Sequence, residues 1–298
     1  MSYLGKKLLH KRIWGRLYRE RLSAPLHLNL ISLFVAVFGT FRNKVAYDLV
    51  LRPQHAYSIL KAADYALEYG IKKLTLIEFG VASGSGLINL AKIAKKVTTI
   101  TGVEFKIIGL DSGTGMPAPK SYKDHPEYYL EGDFSMNEEL LKKNLPENVH
   151  LIIGDVSESL ASLEASAFID APIAFACLDL DYYSSTVDAL ELFKLPATNF
   201  LPLTFLYVDD ITLPFHNSKC GELLAIKEFN QEQDLRQIER HDFLVNERLF
   251  PTAPWVKQIF HLHVLDHPIR NNLKTKLQKQ HIYNPYLKYD GNKEKFNV

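Results

Sequence analysis

From Arg52 onward the chain alternates short apolar runs of strand length with segments whose apolar residues recur at helical spacing. Few folds accommodate that rhythm. The strand-like runs fall at 74–79, 105–110, 149–153, 173–178 and 204–208. Helix-like segments begin at Pro53, where Tyr57, Leu60, Ala63 and Leu67 share a face, and recur at 87–94, 137–144, 157–164, 185–194 and 221–230. A late pair, around Leu244 and at 259–264, is expected to close the sheet. Strands covered on both faces by crossover helices read as continuous apolar stretches, and such crossovers are right-handed. The pattern therefore predicts an α/β fold with a parallel, doubly wound sheet.

Composition narrows the class. The 298 residues are 47% hydrophobic and 23% charged, which excludes a disordered or collagen-like chain. Lysine and arginine number 35 against 34 acids, so no global charge favours nucleic acid as a partner. Cys177 and Cys220 cannot build a disulfide framework or a four-thiolate zinc site, and free thiols in a reducing cytoplasm are expected.

Residues 1–50 form a distinct extension. Lys6, Lys7, Lys11, Arg12, Arg16, Arg19 and Arg21 accompany one acid, Glu20, and an apolar run follows from Leu26 to Phe41. That run, broken by His27, Asn29 and Ser32, falls short of the roughly 20 apolar residues of a spanning helix. A helix packed on the domain or on a second subunit is expected, with contact to an anionic membrane surface as the alternative. The remaining division is a main domain at 51–267 and a polar, basic arm at 268–298.

Four features carry chemistry. Glu78-Phe79-Gly80-Val81-Ala82-Ser83-Gly84-Ser85-Gly86 lies at a strand-to-helix junction, where glycines admit a ligand to the backbone and to a helix N-terminus. Asn89 stands where a dinucleotide fingerprint needs its third glycine, and the acid Glu78 suits an amino-bearing ligand better than a pyrophosphate. Asp111, in Gly109-Leu110-Asp111-Ser112, ends the second strand, from which a carboxylate reaches ribose hydroxyls. Gly154-Asp155 follows the third strand and is positioned for an adenine amino group. Asp179-Leu180-Asp181-Tyr182-Tyr183-Ser184-Ser185-Thr186 and Asp209-Asp210 follow the fourth and fifth strands. Clustered carboxylates repel one another unless a hard cation such as Mg²⁺ is bound, the alternative being helix caps and a surface Asp pair.

The order of these motifs resembles the macrocin O-methyltransferase (TylF-like) family of class I S-adenosylmethionine-dependent methyltransferases, over residues 75 to 215. The resemblance implies a Rossmann-like sheet of seven mostly parallel strands with a late antiparallel strand. It also implies a magnesium-dependent O-methyltransferase acting on a hydroxyl of a sugar or other small polyhydroxylated molecule. Carried over by position, Glu78, Gly80 and Gly84 line the methionine end of the cofactor, Asp111 with Ser112 holds the ribose, and Gly154 and Asp155 lie at the adenine. Asp179, Asp209 and Asp210 hold the metal, and Asp181 is the general base. Gly113 and Met116 replace the family's Phe and Leu, and Val156 stands near its usual aromatic. An insert at 121–144, with Tyr122, His125, Tyr128, Tyr129 and Phe134, is expected to be a lid over the acceptor. His216 reads as a loop histidine, Glu222 as a helix N-terminal charge, and His261 and His263 as two residues on one strand face without a role. Two other readings are a nicotinamide-dependent oxidoreductase and a non-catalytic nucleoside-binding scaffold. An exposed apolar N-terminal helix would favour a homo-oligomer.

Overall fold

The computed structural model describes residues 18–163, 165–212 and 216–271. Seven strands form one sheet: β1 (Lys73–Phe79), β2 (Glu104–Asp111), β3 (Val149–Ile153), β4 (Ile173–Leu178), β5 (Phe200–Val208), β6 (Arg236–Arg240) and β7 (Ile259–Val264). Their order is β3-β2-β1-β4-β5-β7-β6. Strands β1 to β5 are parallel, and β7 runs antiparallel to both β5 and β6. This is a Rossmann-like arrangement, and it meets the expectation of a mostly parallel α/β sheet with one late antiparallel strand. The chain leaves β1 toward β2 and β3, then returns to β4, so a crevice opens between the β1 and β4 ends.

The principal helices are α1 (Leu26–Phe38), α2 (Phe41–Ala46), α3 (Pro53–Glu68), α4 (Ser85–Thr101), α5 (Glu138–Asn144), α6 (Val156–Ala161), α7 (Tyr183–Leu190) and α8 (Gly221–Glu232). Strand alternation sends Leu74 and Leu76 to a core shared with α3 and α4. Ile77 and Phe79 point to the opposite core, under α7 and α8. Each fully buried side chain of this kind contributes about 1.5–3 kcal/mol. Helix α4 outruns the expected 87–94 because nothing stops it before Gly102, whose left-handed φ of 75° lets its N–H close onto the Thr98 carbonyl.

Two expectations differ from the structure. The penultimate strand is β6, Arg236-Gln237-Ile238-Glu239-Arg240, and not a segment around Leu244. An edge strand faces solvent along one side, so β6 is polar and only Arg236 and Ile238 are buried. Leu244 instead begins a single helical turn and is fully buried. Helix α1 buries only Ser32 and Val35, with Leu28 and Asn29 half-buried, and leaves Leu26, Leu30, Leu33, Phe34, Val37 and Phe38 exposed. Arg21 ties this extension down, with its guanidinium 3.9 Å from the Phe250 ring centroid and donating to the Tyr47 carbonyl at 2.7 Å. Among the described residues no helix is long and apolar enough to cross a membrane. The basic lead from Lys6 to Arg16, and the arm beyond Asn271, lie outside the described residues.

The insert is docked through a buried aspartate. Asp124 accepts from the Ser184 N–H at 2.8 Å, capping the first turn of α7 from outside the helix, and from the Lys120 N–H at 2.8 Å. Beside it Lys123 pairs with Glu228 at 3.3 Å, and the Tyr183 hydroxyl donates to the same carboxylate at 2.5 Å. Replacing Asp124 by Ala strands two backbone donors and should cost roughly 1–3 kcal/mol of unfolding free energy. Hydrogen exchange should accelerate across 121–136 and in the first turn of α7, with β1 and β4 unchanged. Uniform acceleration over the whole sheet would mean that Asp124 supports the fold and not the insert.

Candidate active site

A cavity of about 680 Å³ opens at the C-terminal ends of β1 to β5. The glycine loop after β1 forms its floor. Gly80 has φ 79°, and a Cβ there would lie 1.8 Å from the Asp179 carbonyl oxygen, so the turns after β1 and β4 touch backbone to backbone. Gly86 also lines the cavity, where a Cβ would meet Glu78 Oε1 at 1.9 Å. Gly84 does not line it: its Cα faces α5, and a Cβ would strike Leu141 Cδ1 at 2.1 Å. The sequence places both glycines in one turn but does not say which way each faces.

Asp111 is engaged with the loops themselves. One oxygen accepts from the Val81 and Ala82 N–H groups, both at 2.8 Å, and the other from the Gly113 N–H at 2.7 Å. A carboxylate has about four lone-pair sites, so roughly one remains for a ligand hydroxyl. Ser112 lines the cavity and donates to the Gly115 carbonyl at 2.7 Å. Gly154 and Asp155 lie at the far end, where Asp155 caps α6 by accepting from the N–H and hydroxyl of Ser157. Those hydrogen bonds hold its carboxyl below the usual range.

The opposite wall is acidic. Asp179, Asp209 and Asp210 each bring one carboxylate oxygen within 4.8 Å of the others. Burial, then mutual repulsion, pushes the carboxyls of Asp179 and Asp210 well above the ordinary value. The Tyr207 hydroxyl donates to Asp209, and Gln258 Nε2 donates to the Asp209 carbonyl at 2.6 Å. Asp181 sits beside the cluster with φ 58°, its N–H donating to Asp210 Oδ2 at 3.2 Å. Its carboxyl is raised by burial and hydrogen-bonded to Tyr129 of the insert. Phe134 also lines the cavity, at its exposed rim, whereas Tyr122 and Tyr128 are exposed and do not line it. His216 stacks flat on His125 at 5.1 Å and is held near pKa 4, chiefly by burial.

Sequence reading missed three contributors. Glu222, 1% exposed, accepts from the Asp210 N–H at 3.1 Å and the Leu180 N–H at 3.4 Å, fixing both acidic turns. An acid straight after Gly221, a glycine at φ 56°, was the available signal. Tyr207 gave none, lying within an apolar strand. Arg52 lines the cavity from the turn before α3, its guanidinium 3.3 Å from Ser85 Oγ. An arginine immediately before the helix-opening Pro53 was its only trace.

Comparisons with known proteins follow the fold. No protein family matches this chain, and no curated protein does. Among solved structures, the calicheamicin methyltransferase CalS11 is similar at 19% identity over 80% of this chain and 91% of that one, with a TM-score of 0.47. An O-methyltransferase from Bacillus cereus in complex with SAH is 13% identical over 83% and 96%, TM-score 0.38. A Mg-SAM structure of cmcI is 15% identical over 68% and 70%, TM-score 0.36. The first two are methyltransferases by name, and at such values the likeness concerns architecture and not activity.

Glu78 offers a direct check on the site's electrostatics. It is 1% exposed, and burial pushes its carboxyl up to about 8, Arg52 partly opposing and Asp111 and Asp209 adding to the rise. The folded chain therefore holds a proton that the unfolded chain releases near 4.5, and stability falls as pH rises from there through about 8. Glu78→Gln, which removes that ionisation, should stabilise the ligand-free protein by on the order of 2–4 kcal/mol at pH 8 and little at pH 5. Thermal melts of both proteins at the two pH values measure it, and an equal gain at both would contradict the assigned cause.

Proposed function

We propose that this chain is an S-adenosylmethionine-dependent O-methyltransferase, assisted by Mg²⁺, that acts on a hydroxyl of a sugar or other small polyhydroxylated molecule. The observation that carries the reading is a single cavity bounded on one side by the glycine loop and Asp111 and on the other by the carboxylates of Asp179, Asp209 and Asp210. The donor set fits a hard divalent cation: three oxygen ligands converge, and their burial makes an uncompensated cluster costly. Asp179, Asp209 and Asp210 would hold the ion, with Glu222, Tyr207 and Gln258 orienting them. When bound, Mg²⁺ supplies Lewis acidity toward an acceptor hydroxyl.

The remaining work falls to the chain's own residues. Glu78 and the loop from Gly80 to Gly86 receive the amino-acid end of the methyl donor, and Asp111 spends its free lone pair on one ribose hydroxyl. Gly154 and Asp155 lie toward the adenine. Asp181 accepts the acceptor's proton, and its burial keeps it basic enough to do so. Tyr129, itself buried, holds that carboxylate in place. Methyl transfer is an in-line displacement, so fixing donor and acceptor in line supplies much of the rate.

Turnover to S-adenosylhomocysteine, followed with a panel of nucleotide sugars and simple glycosides, tests the activity. EDTA should abolish it and Mg²⁺ should restore it. Asp181→Asn should retain cofactor affinity while lowering turnover roughly 10²–10⁴-fold. Full activity in EDTA would remove the metal, and an Asp181→Asn enzyme as fast as the parent would remove the base.

A further inference from the structure

Arg52 adopts φ 50° and ψ 67°, a left-handed conformation that L-residues avoid. The following Pro53 makes it less favourable still, because a residue before proline is steered to extended backbone. Strain of this kind persists where the surroundings enforce it, commonly at ligand sites. Here it delivers a guanidinium to the rim of the glycine loop, where one hydrogen bond, to Ser85, uses one of its five N–H donors. Among the described residues lining the cavity, Arg52 is the one cation, against seven carboxylates. At the same end lies Glu78, whose Oε2 is buried without a hydrogen-bond partner behind Gly86. A cation with spare donors and a buried, unsatisfied carboxyl are the two complements of an α-amino acid.

We infer that Arg52 binds the α-carboxylate of the methyl donor while Glu78 binds its α-ammonium, a clamp that rests on the methyltransferase reading. Arginine suits the task because its planar fork meets a carboxylate through two parallel hydrogen bonds. Seven acids around the cavity would otherwise repel that carboxylate.

Decarboxylated S-adenosylmethionine keeps the ammonium and sulfonium and lacks only the group in question. Titration calorimetry on the full chain should show Arg52→Gln weakening S-adenosylmethionine roughly 10–100-fold, as expected for loss of a charge-assisted pair. The decarboxylated analogue should weaken by less than about threefold. Arg52→Lys should recover part of the loss, and Glu78→Gln should weaken both ligands. Equal losses for the two ligands in Arg52→Gln, or an unchanged affinity for S-adenosylmethionine, would overturn the clamp. A parent protein that binds neither ligand would instead remove the methyltransferase reading beneath it.

The outer face of α1 carries a separate inference. Leu26, Leu30, Leu33, Phe34, Val37 and Phe38 form an exposed apolar stripe along the helix. Nine lysines and arginines and one acid, Glu20, lie between residues 1 and 47; of the nine, Arg21 and Arg42 are engaged within the domain. In sequence, seven further basic residues accompany this apolar stripe, a composition complementary to an anionic bilayer surface. We propose that α1 docks on such a surface. The chain should co-sediment with phosphatidylglycerol-containing vesicles, weakly with pure phosphatidylcholine, and less at high salt. Leu33→Asp with Phe34→Asp should abolish the binding while keeping cofactor affinity. No binding to the anionic vesicles would overturn it, as would a solution dimer that this double variant splits, since a second copy would then cover the stripe.

Discussion

Buried carboxylates set the terms for everything around the strand ends. Glu78, Asp210 and Glu222 are nearly inaccessible, with Asp179 and Asp209 alongside. Packing so many acids in the interior is costly unless each oxygen finds a donor. The backbone supplies many of these: Asp210 and Leu180 donate to Glu222, Asp181 to Asp210, and Val81, Ala82 and Gly113 to Asp111. The acids thereby shape the loops as much as the loops position the acids. Tyr207 and Tyr129 add hydroxyl donors from opposite sides, one from the sheet and one from the insert.

Backbone strain follows the same geography. Among the described residues, six other than glycine have positive φ, and four of them, Arg52, Ala82, Phe134 and Asp181, line the cavity. A fifth, His125, follows Asp124, the residue that seats the insert on α7. These conformations are unfavourable in isolation and are held by contacts distant in sequence. The scaffold beneath them is regular where it meets the cavity: register shifts at Thr75/Leu76 and Ile173/Phe175 lie early in their strands, and the C-terminal halves of the parallel strands pair without a break. Rigid strands thus carry strained turns, and the turns carry the chemistry.

The same division explains what the sequence discloses. Strands β1 to β5 are covered on both faces, so they read as apolar runs, and their glycine and aspartate turns mark the strand ends. Strand β6 hides because an edge strand needs little apolar character, while Leu244, apolar and buried, belongs to a helical turn. Within the site, residue types are legible and their directions are not. Gly84 shares a motif with Gly80 yet faces Leu141, and Asp111 spends most of its acceptor capacity on backbone. Arg52 and Glu222 escaped because their partners, Ser85 and Asp210, stand 33 and 12 residues away in sequence. Such contacts are set by the crossovers of the sheet, which local pattern does not encode.

Charge balance links the site's construction to a reaction cycle. Seven carboxyl groups and one guanidinium line the cavity, and burial and mutual repulsion raise several of these carboxyls, so a bound cation lowers the cost of ionising them. Under the proposed reaction the methyl donor enters with a sulfonium, an ammonium and a carboxylate, a net charge of +1, and a divalent cation adds two more. Transfer of the methyl group removes the sulfonium charge, and the proton taken by Asp181 neutralises one acid. The spent cofactor, a neutral thioether with a zwitterionic tail, is then held through that tail and its nucleoside alone. The carboxylates that draw the donor in lose their Coulombic hold on the thioether end once transfer is complete. On the proposed reading, discrimination between donor and product would reside in the acidic wall, while the glycine loop, Glu78 and Arg52 would recognise what the two molecules share.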